Sequence, residues 1–326
     1  MQRRTPVRVR KEKTTGRYHD MEQIRSLEGL LKYAQEVGPK KIAVALAEDA
    51  EVMEAVENAR KEGVADAFLV GDADKIKSVA GSMGIDTGNY EIVDVKSDQK
   101  QVGLEAVKLV SSGKADILMK GMISTANFLR GVLNKEVGLR TGGTLSHVYI
   151  HQIEGYDRLF FICDPAFNMY PDLATKVNIL NNTADLAHAF GIDMPKVAVL
   201  AAVEVVNPDM PCTLDAATLS QMYRRKQIKG CIVDGPFALD NAISEESAKH
   251  KGIESEVAGN ADILLVPDIE AGNMMAKAIV YFSNNKTAGL VLGAKAPVVL
   301  TSRSDTAETK LLSIASAVAL SAHQKG

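Results

Sequence analysis

Residues 144–163 read TLSHVYIHQIEGYDRLFFIC, two strand-like runs, Thr144 to Ile153 and Arg158 to Cys163, joined by Glu154-Gly155-Tyr156-Asp157. Two such runs with a short glycine-containing join predict a β-hairpin. An antiparallel hairpin among parallel units marks a mixed sheet or a passage between domains, and we place the crossing near residue 151. The chain on either side gives the hairpin that meaning.

Before it, apolar runs at Lys41 to Ala47, Phe68 to Gly71, Tyr90 to Val95 and Ala115 to Lys120 alternate with helical segments. That rhythm predicts βαβ units and a largely parallel sheet covered on both faces. Gly71-Asp72, Gly121 and Gly138 fall where strands should end. After the hairpin the alternation resumes, with helices at Leu173 to Phe190, Asp215 to Lys226, Ser244 to His250 and Ala271 to Phe282. Strands are expected at Lys196 to Val203, Gly230 to Val233, Asp262 to Val266 and Ala288 to Leu292. A closing strand and helix, 296–323, should return to the first sheet. The predicted fold class is α/β, with two domains of mostly parallel sheet, helices on both faces and a ligand cleft between the domains. Residues 1–20 form a basic leader, 21–150 with 300–326 the first domain, and 151–299 the second.

Composition limits the function. The 326 residues carry a formal net charge of −3 and are 46% hydrophobic, an ordinary globular balance. Residues 1–20 concentrate Arg3, Arg4, Arg8, Arg10, Lys11, Lys13 and Arg17 against Glu12 and Asp20, so the body is acidic and argues against a nucleic-acid partner. The leader has too little apolar content to fold alone, and Met21 is a plausible natural start. No run reaches the ~20 apolar residues that span a bilayer, so a membrane role is not expected and a cytoplasmic protein is. Cys163, Cys212 and Cys231 form no C-x-x-C and read as reduced thiols. His147, His151 and His188 show no zinc spacing, and neither a Walker A loop nor a strand-linked G-x-G-x-x-G occurs.

The stretch 300–310, LTSRSDTAETK, follows the apolar run Ala296 to Leu300 and precedes a helical pattern. A strand opening through Ser302, Arg303, Ser304 and Asp305 into a helix gathers hydroxyls, a guanidinium and backbone N–H groups at a positive helix start, which is an anion site. Asp305 and Glu308 are also spaced as a capping box, so a purely local role stands beside a catalytic one. A second half-site is MKGMISTANFLR, 119–130: Lys120 ends a strand, Ser124 and Thr125 open a helix, and Arg130 lies one to two turns on. Ser124 as an N-cap and Arg130 on a solvated face are the plainer readings. Two further turns, 234–242 and 267–273, place Asp234, Asp240, Asp268 and Glu270 near Gly272 and Asn273 after apolar runs. Such carboxylates also suit Mg²⁺.

ADILMKGMISTANFLR, VDGPFALDNAIS, ADILLVPDIEAGN and LTSRSDTAE, in this order and spacing, resemble the phosphate acyltransferases, most of all the phosphate butyryltransferase branch, over residues 21–320. The resemblance implies reversible exchange of an acyl group between coenzyme A and inorganic phosphate. It also implies a fold similar to the isocitrate and isopropylmalate dehydrogenases and a homodimer or higher homo-oligomer. Coenzyme A is then a substrate, with no cofactor and no metal. By motif match, Ser302 bonds the reacting groups, Arg303 holds phosphate and transition-state charge, Thr125 is the family's hydroxyl and Arg130 its second anion-binding arginine. Lys120, Ser124, Gly272 and Asn273 complete the expected substrate-binding set. Where the acetyl branch carries an aspartate base after Ser-Arg, this chain has Thr309, with Glu308 adjacent and Asp305 one turn earlier. The carboxylate is left open. So are three alternatives: an acetyl-specific enzyme, a Mg²⁺- and NAD-dependent hydroxy-acid dehydrogenase of the same fold, and an idle coenzyme A binder.

Overall fold

The computed structural model describes residues 22–300 and 305–325. The basic leader, Met21 and the turn holding Ser302 and Arg303 lie outside the described residues.

The described residues form strands β1 (Lys40–Ala45), β2 (Ala65–Gly71), β3 (Glu91–Asp94), β4 (Ile117–Lys120), β5 (Ser146–Ile153), β6 (Leu159–Cys163), β7 (Lys196–Leu200), β8 (Ile232–Phe237), β9 (Ile263–Leu265), β10 (Asn285–Leu292) and β11 (Val298–Val299). The helices are α1 (Leu27–Val37), α2 (Ala50–Lys61), α3 (Ala73–Ser82), α4 (Gln99–Ser111), α5 (Thr125–Val132), α6 (Leu173–Ala189), α7 (Pro211–Arg224), α8 (Leu239–Ile243), α9 (Glu245–His250), α10 (Ile269–Phe282) and α11 (Ala307–Lys325).

All the strands join one mixed sheet in the order β3-β2-β1-β4-β11-β10-β5-β6-β9-β7-β8. The first five are mutually parallel, and so are the last four. Between them β10 pairs antiparallel with β11 and β5, and β5 with β6, so the two parallel blocks run in opposite senses. The expected hairpin is β5–β6, with Val148 opposite Cys163. The expected return of the chain is also present, since β11 lies parallel to β4 with Val298 opposite Leu118. Strands β4 and β6 are buried along their whole length, which is why they read as continuous apolar runs, broken in β4 only by the closing Lys120, and not as alternations.

Strand-to-helix turns are fixed by short polar caps. Asp49, Asp72, Asp98, Ser124, Asp172 and Asp268 each accept a backbone N–H of the helix they open. Helix α11 is buried nearly all round from Leu312 to Ser321, packed on α1, α2 and β10, so it is core and not a surface helix.

Two local expectations change. Asp234-Gly235-Pro236-Phe237 is strand, not turn, because β8 continues to Phe237 beside β7 through a register shift. Gly138 ends no strand; it closes the turn after α5, where a Cβ would fall 2.2 Å from the Asn134 carbonyl oxygen.

Candidate active site

Because β4 and β11 are adjacent and parallel, the chain leaves the sheet after Lys120 and after Val299 from neighbouring strand ends, roughly 5 Å apart. After β4 the chain turns sharply across β1. The Gly121 N–H donates to the Ala45 carbonyl at 2.9 Å, and a Cβ on Gly121 would sit 2.3 Å from the Leu46 carbonyl oxygen. Only glycine permits that approach. Lys120 is buried, and its ammonium donates to the Gly121 carbonyl at 3.2 Å. Ser124 caps α5 by accepting from the Asn127 N–H at 3.3 Å, and its own N–H donates to Gln99 Oε1. Thr125 is exposed at the helix start. Arg130 is also exposed, donating to Asn127 Oδ1 at 2.9 Å, one turn nearer the mouth of the helix.

Of the two roles left open for Asp305 and Glu308, capping α11 falls to another pair. The Thr309 N–H donates to Thr306 Oγ1 at 3.1 Å, so Thr306 and Thr309, and not Asp305 and Glu308, close the first turn. Glu308 is spent on the surface, 3.0 Å from Lys286, which also meets Glu28 at 2.7 Å. Asp305 is held by its backbone: the buried Lys310 ammonium donates to the Asp305 carbonyl at 2.9 Å and to Glu51 Oε2 at 2.8 Å.

Gly272 and Asn273 sit in the first turn of α10, whose N-cap is Asp268. A Cβ on Gly272 would lie 2.7 Å from Val266 Cγ2, so close packing explains this glycine. Asn273 Nδ2 donates to the Pro165 carbonyl at 3.2 Å and ties α10 to the segment after β6. That segment escaped the sequence reading. Asp164, buried, accepts N–H groups from Ala166 and Phe167 at 3.0 Å and the Asn168 side-chain amide at 2.6 Å, and Asn168 also bonds the Leu145 carbonyl. Burial raises the Asp164 carboxyl above its ordinary value, against the lowering by those donors. The loop thereby carries Phe167 into the apolar cluster that includes Leu46, Leu129 and Leu300. Its only sequence signal was Asp-Pro with an Asn four residues beyond Asp164.

Two cavities flank α10. One, of about 660 Å³, opens at the carboxyl ends of β7 and β9 and is lined by Leu200, Val266, Met275 and Tyr170 with the Lys176–Asp215 ion pair. The other, of about 270 Å³, lies between α10 and α11 and is lined by Tyr149, Lys277, Val280, Asp305, Thr309 and Leu312. Asp305 and Glu308 thus border one cavity. Behind it, on one face of β5, stand His147, Tyr149 and His151. Burial pushes both imidazoles down to about 4, and it pushes the thiols of Cys163 and Cys231 up to about 12. The histidines are neutral and those thiols protonated at neutral pH.

The phosphate acetyl/butaryl transferase family model matches residues 27–105 and 100–318. A phosphate butyryltransferase of Clostridium beijerinckii is 54% identical over 301 residues, 92% of this chain and 99% of that protein. Among solved structures, a branched-chain phosphotransacylase from Enterococcus faecalis superposes with a TM-score of 0.78 at 34% identity, covering 86% of this chain and 99% of its own. A 4-hydroxythreonine-4-phosphate dehydrogenase from Klebsiella pneumoniae matches with a TM-score of 0.55 at 11% identity, over 86% of this chain and 99% of its own. That last likeness concerns the fold alone, and it fits the expected dehydrogenase-like architecture.

Proposed function

The chain belongs to the phosphate acetyl/butaryl transferase family, and we propose that it exchanges a short acyl group, butyryl or a branched relative, between coenzyme A and inorganic phosphate. The observation that carries this reading is the β4–β11 pairing, which brings to neighbouring strand ends the two stretches expected from the sequence to bind an anion.

In the direction of acyl phosphate synthesis, a phosphate oxygen attacks the thioester carbonyl. The resulting tetrahedral oxyanion collapses with loss of the coenzyme A thiolate, which takes up a proton. Arg303 holds the phosphate and the developing oxyanion, Ser302 hydrogen-bonds the reacting groups, and Arg130 and Lys120 supply further positive charge. Ser124 and Thr125 offer a helix start to the anion. A positioned donor of this kind contributes roughly 3 to 4 kcal/mol to the barrier. In reverse the thiol, with an ordinary value near that of cysteine at ~8.5, needs a proton acceptor. Asp305 fits that role better than Glu308, because Glu308 is neutralised by Lys286 on the surface while Asp305 lines the cavity. No acyl-enzyme and no metal or redox cofactor enters. We further take the enzyme to work in the cytoplasm as a homo-oligomer, without nucleic-acid or membrane partners.

The test is thioester consumption with acetyl-, butyryl- and isobutyryl-coenzyme A, with and without phosphate, read as free thiol. Phosphate-dependent release that is faster for the four-carbon chains and indifferent to EDTA supports the proposal. Release that ignores phosphate overturns it. Faster turnover of the acetyl substrate leaves the reaction and corrects the chain length.

A further inference from the structure

The outward face of α10 is apolar and open to water. Tyr281 and Phe282 in its last turn are 73% and 90% exposed, and Met274 at its middle is exposed too. At its first turn the face continues onto Met169 and Tyr170, the latter 71% exposed, where the Ile269 N–H donates to the Met169 carbonyl at 3.0 Å and holds that segment against the helix. The exposed parts of the three aromatic rings alone present roughly 350 to 600 Å². That matches the largest apolar patch of an ordinary monomer, and it is a large share of the ~800 Å² that each partner buries in a standard interface. Surface of this kind gains by being covered.

The face also has a pattern. Glu270, Met274, Lys277 and Tyr281 recur at alternating intervals of four and three residues, the seam spacing of a helix that packs along another. Beside that seam, Ala271, Met275 and Phe282 share one flank of the helix. The flank begins in the wall of the 660 Å³ crevice, which Ala271, Met275 and Tyr170 line, and ends on the projecting ring of Phe282. One face therefore carries a hole at one end and a knob at the other. Taking the homo-oligomer proposed above as premise, we propose that a second copy of this chain lays its α10 antiparallel on this one. The twofold axis passes between Met275 and Ala276, and Phe282 of each copy enters the crevice of the other. Such an axis keeps both flanks on the same side of the helix pair, so knob and hole meet twice. Glu270 then accepts from the phenol of Tyr281 of the partner subunit. Met274 lies under the aliphatic stem of Lys277 of the partner subunit, whose ammonium stays at the rim of the small cavity. The crevice suits a ring, because Lys176 and Asp215 answer each other at 2.6 Å and Asp268 caps α10, so an apolar occupant strands none of the three. A small apolar ligand would fill the hole and leave Met274 and Tyr281 in water. An unrelated partner would have to reproduce both the knob and the hole.

The chain has no tryptophan, so Phe282→Trp places a single fluorescent reporter on the knob. In the assembled protein its emission should be blue-shifted, as for an indole away from water, and should move to the red on dilution below the dissociation constant. Phe282→Glu and Met274→Glu replace exposed side chains, so each copy should keep its fold by circular dichroism. By sedimentation velocity, the concentration at which assembly is lost should rise at least about a hundredfold in both, the scale of losing a buried anchor at the centre of an interface. An assembly unchanged in both Glu variants, or one in which the indole of Phe282→Trp stays exposed, overturns this interface and leaves the homo-oligomer standing. A parent protein that sediments as a single chain at every concentration overturns the homo-oligomer and this contact with it. Phosphate-dependent thiol release still decides the reaction separately.

Discussion

The two ends of α10 face cavities of opposite character. Its first turns border a 660 Å³ crevice at the carboxyl ends of β7 and β9, the place where open α/β sheets commonly hold ligands. Its last turns border the 270 Å³ cavity. Size would choose the first, but its polar groups are satisfied within the fold: Lys176 bonds Asp215 at 2.6 Å, and Asp268 is occupied in capping α10. For the second, the described residues offer no acceptor to the Tyr149 phenol and no carboxylate to the Lys277 ammonium. Uncommitted donors, more than volume, therefore separate a place that can do chemistry from one that can only be filled.

The sharpest attempt to break this comparison is acid. His147 and His151 stand behind the small cavity, neutral in the folded protein at values near 4 and free to take a proton near 6.5 when unfolded. Thr287 gives its proton to Asn285, so His151 Nδ1 donates to Thr287 and its Nε2 is left without a partner, as is His147 Nδ1. Between pH 6.5 and 4 the unfolded chain binds more protons than the folded one. The stabilisation, complete above pH 6.5, is lost as pH falls toward 4, by on the order of 3 kcal/mol for each imidazole. Denaturant midpoints measured from pH 7 to pH 4 should fall accordingly, and replacing both histidines with Phe should flatten the profile. A flat profile in the parent protein would remove the picture of two neutral buried rings.

Next in size is the contrast between Arg303→Ala and Lys176→Met. The first should lower turnover by about 10² to 10³ in a protein that remains folded. The second strands the Asp215 carboxylate in the large crevice and should cost about 2 to 3 kcal/mol of stability. This is less than for a fully buried pair because Asp215 is 33% exposed, and turnover per folded molecule should be near that of the parent. Steady-state kinetics beside thermal melts reads both. A catalytic loss in Lys176→Met at unchanged melting temperature would move the reactive site to the larger crevice.

How much of this was legible depends on the range of the interactions. The hairpin from Thr144 to Cys163 and the strand-to-helix turns were readable because their signals are local: apolar runs, a glycine join, a cap. The continuity of the sheet was not, since it rests on β10 pairing Val291 with Val298 and Ala288 with Ile150, contacts whose partners no short window contains. The start of α11 stayed ambiguous in the sequence for a subtler reason. Asp305-x-x-Glu308 and Thr306-x-x-Thr309 are both capping patterns one residue apart, and only backbone geometry chooses between them. The cavity needed Tyr149 from β5 to meet Asp305 at the opening of α11, a conjunction made by the fold alone.

That ambiguous cap leads to the smallest effect and the most discriminating one. Were Asp305 and Glu308 a capping pair, replacing either would cost stability of about 1 kcal/mol and leave turnover alone. With Thr306 as the cap, the cost passes to Thr306→Ala, and the carboxylates separate by surroundings. Glu308, 60% exposed and paired with Lys286, should tolerate Gln with turnover within about twofold, as exposed ion pairs contribute little. Asp305→Asn removes the carboxylate proposed above as proton acceptor and should slow thiol attack on acyl phosphate by about 10 to 100-fold. The loss should shrink as pH rises toward the thiol's own value of ~8.5, where the thiolate forms unaided. Rates for the two variants from pH 6.5 to 9 decide the matter: parallel profiles would deny Asp305 any part in proton transfer, and converging ones would assign it.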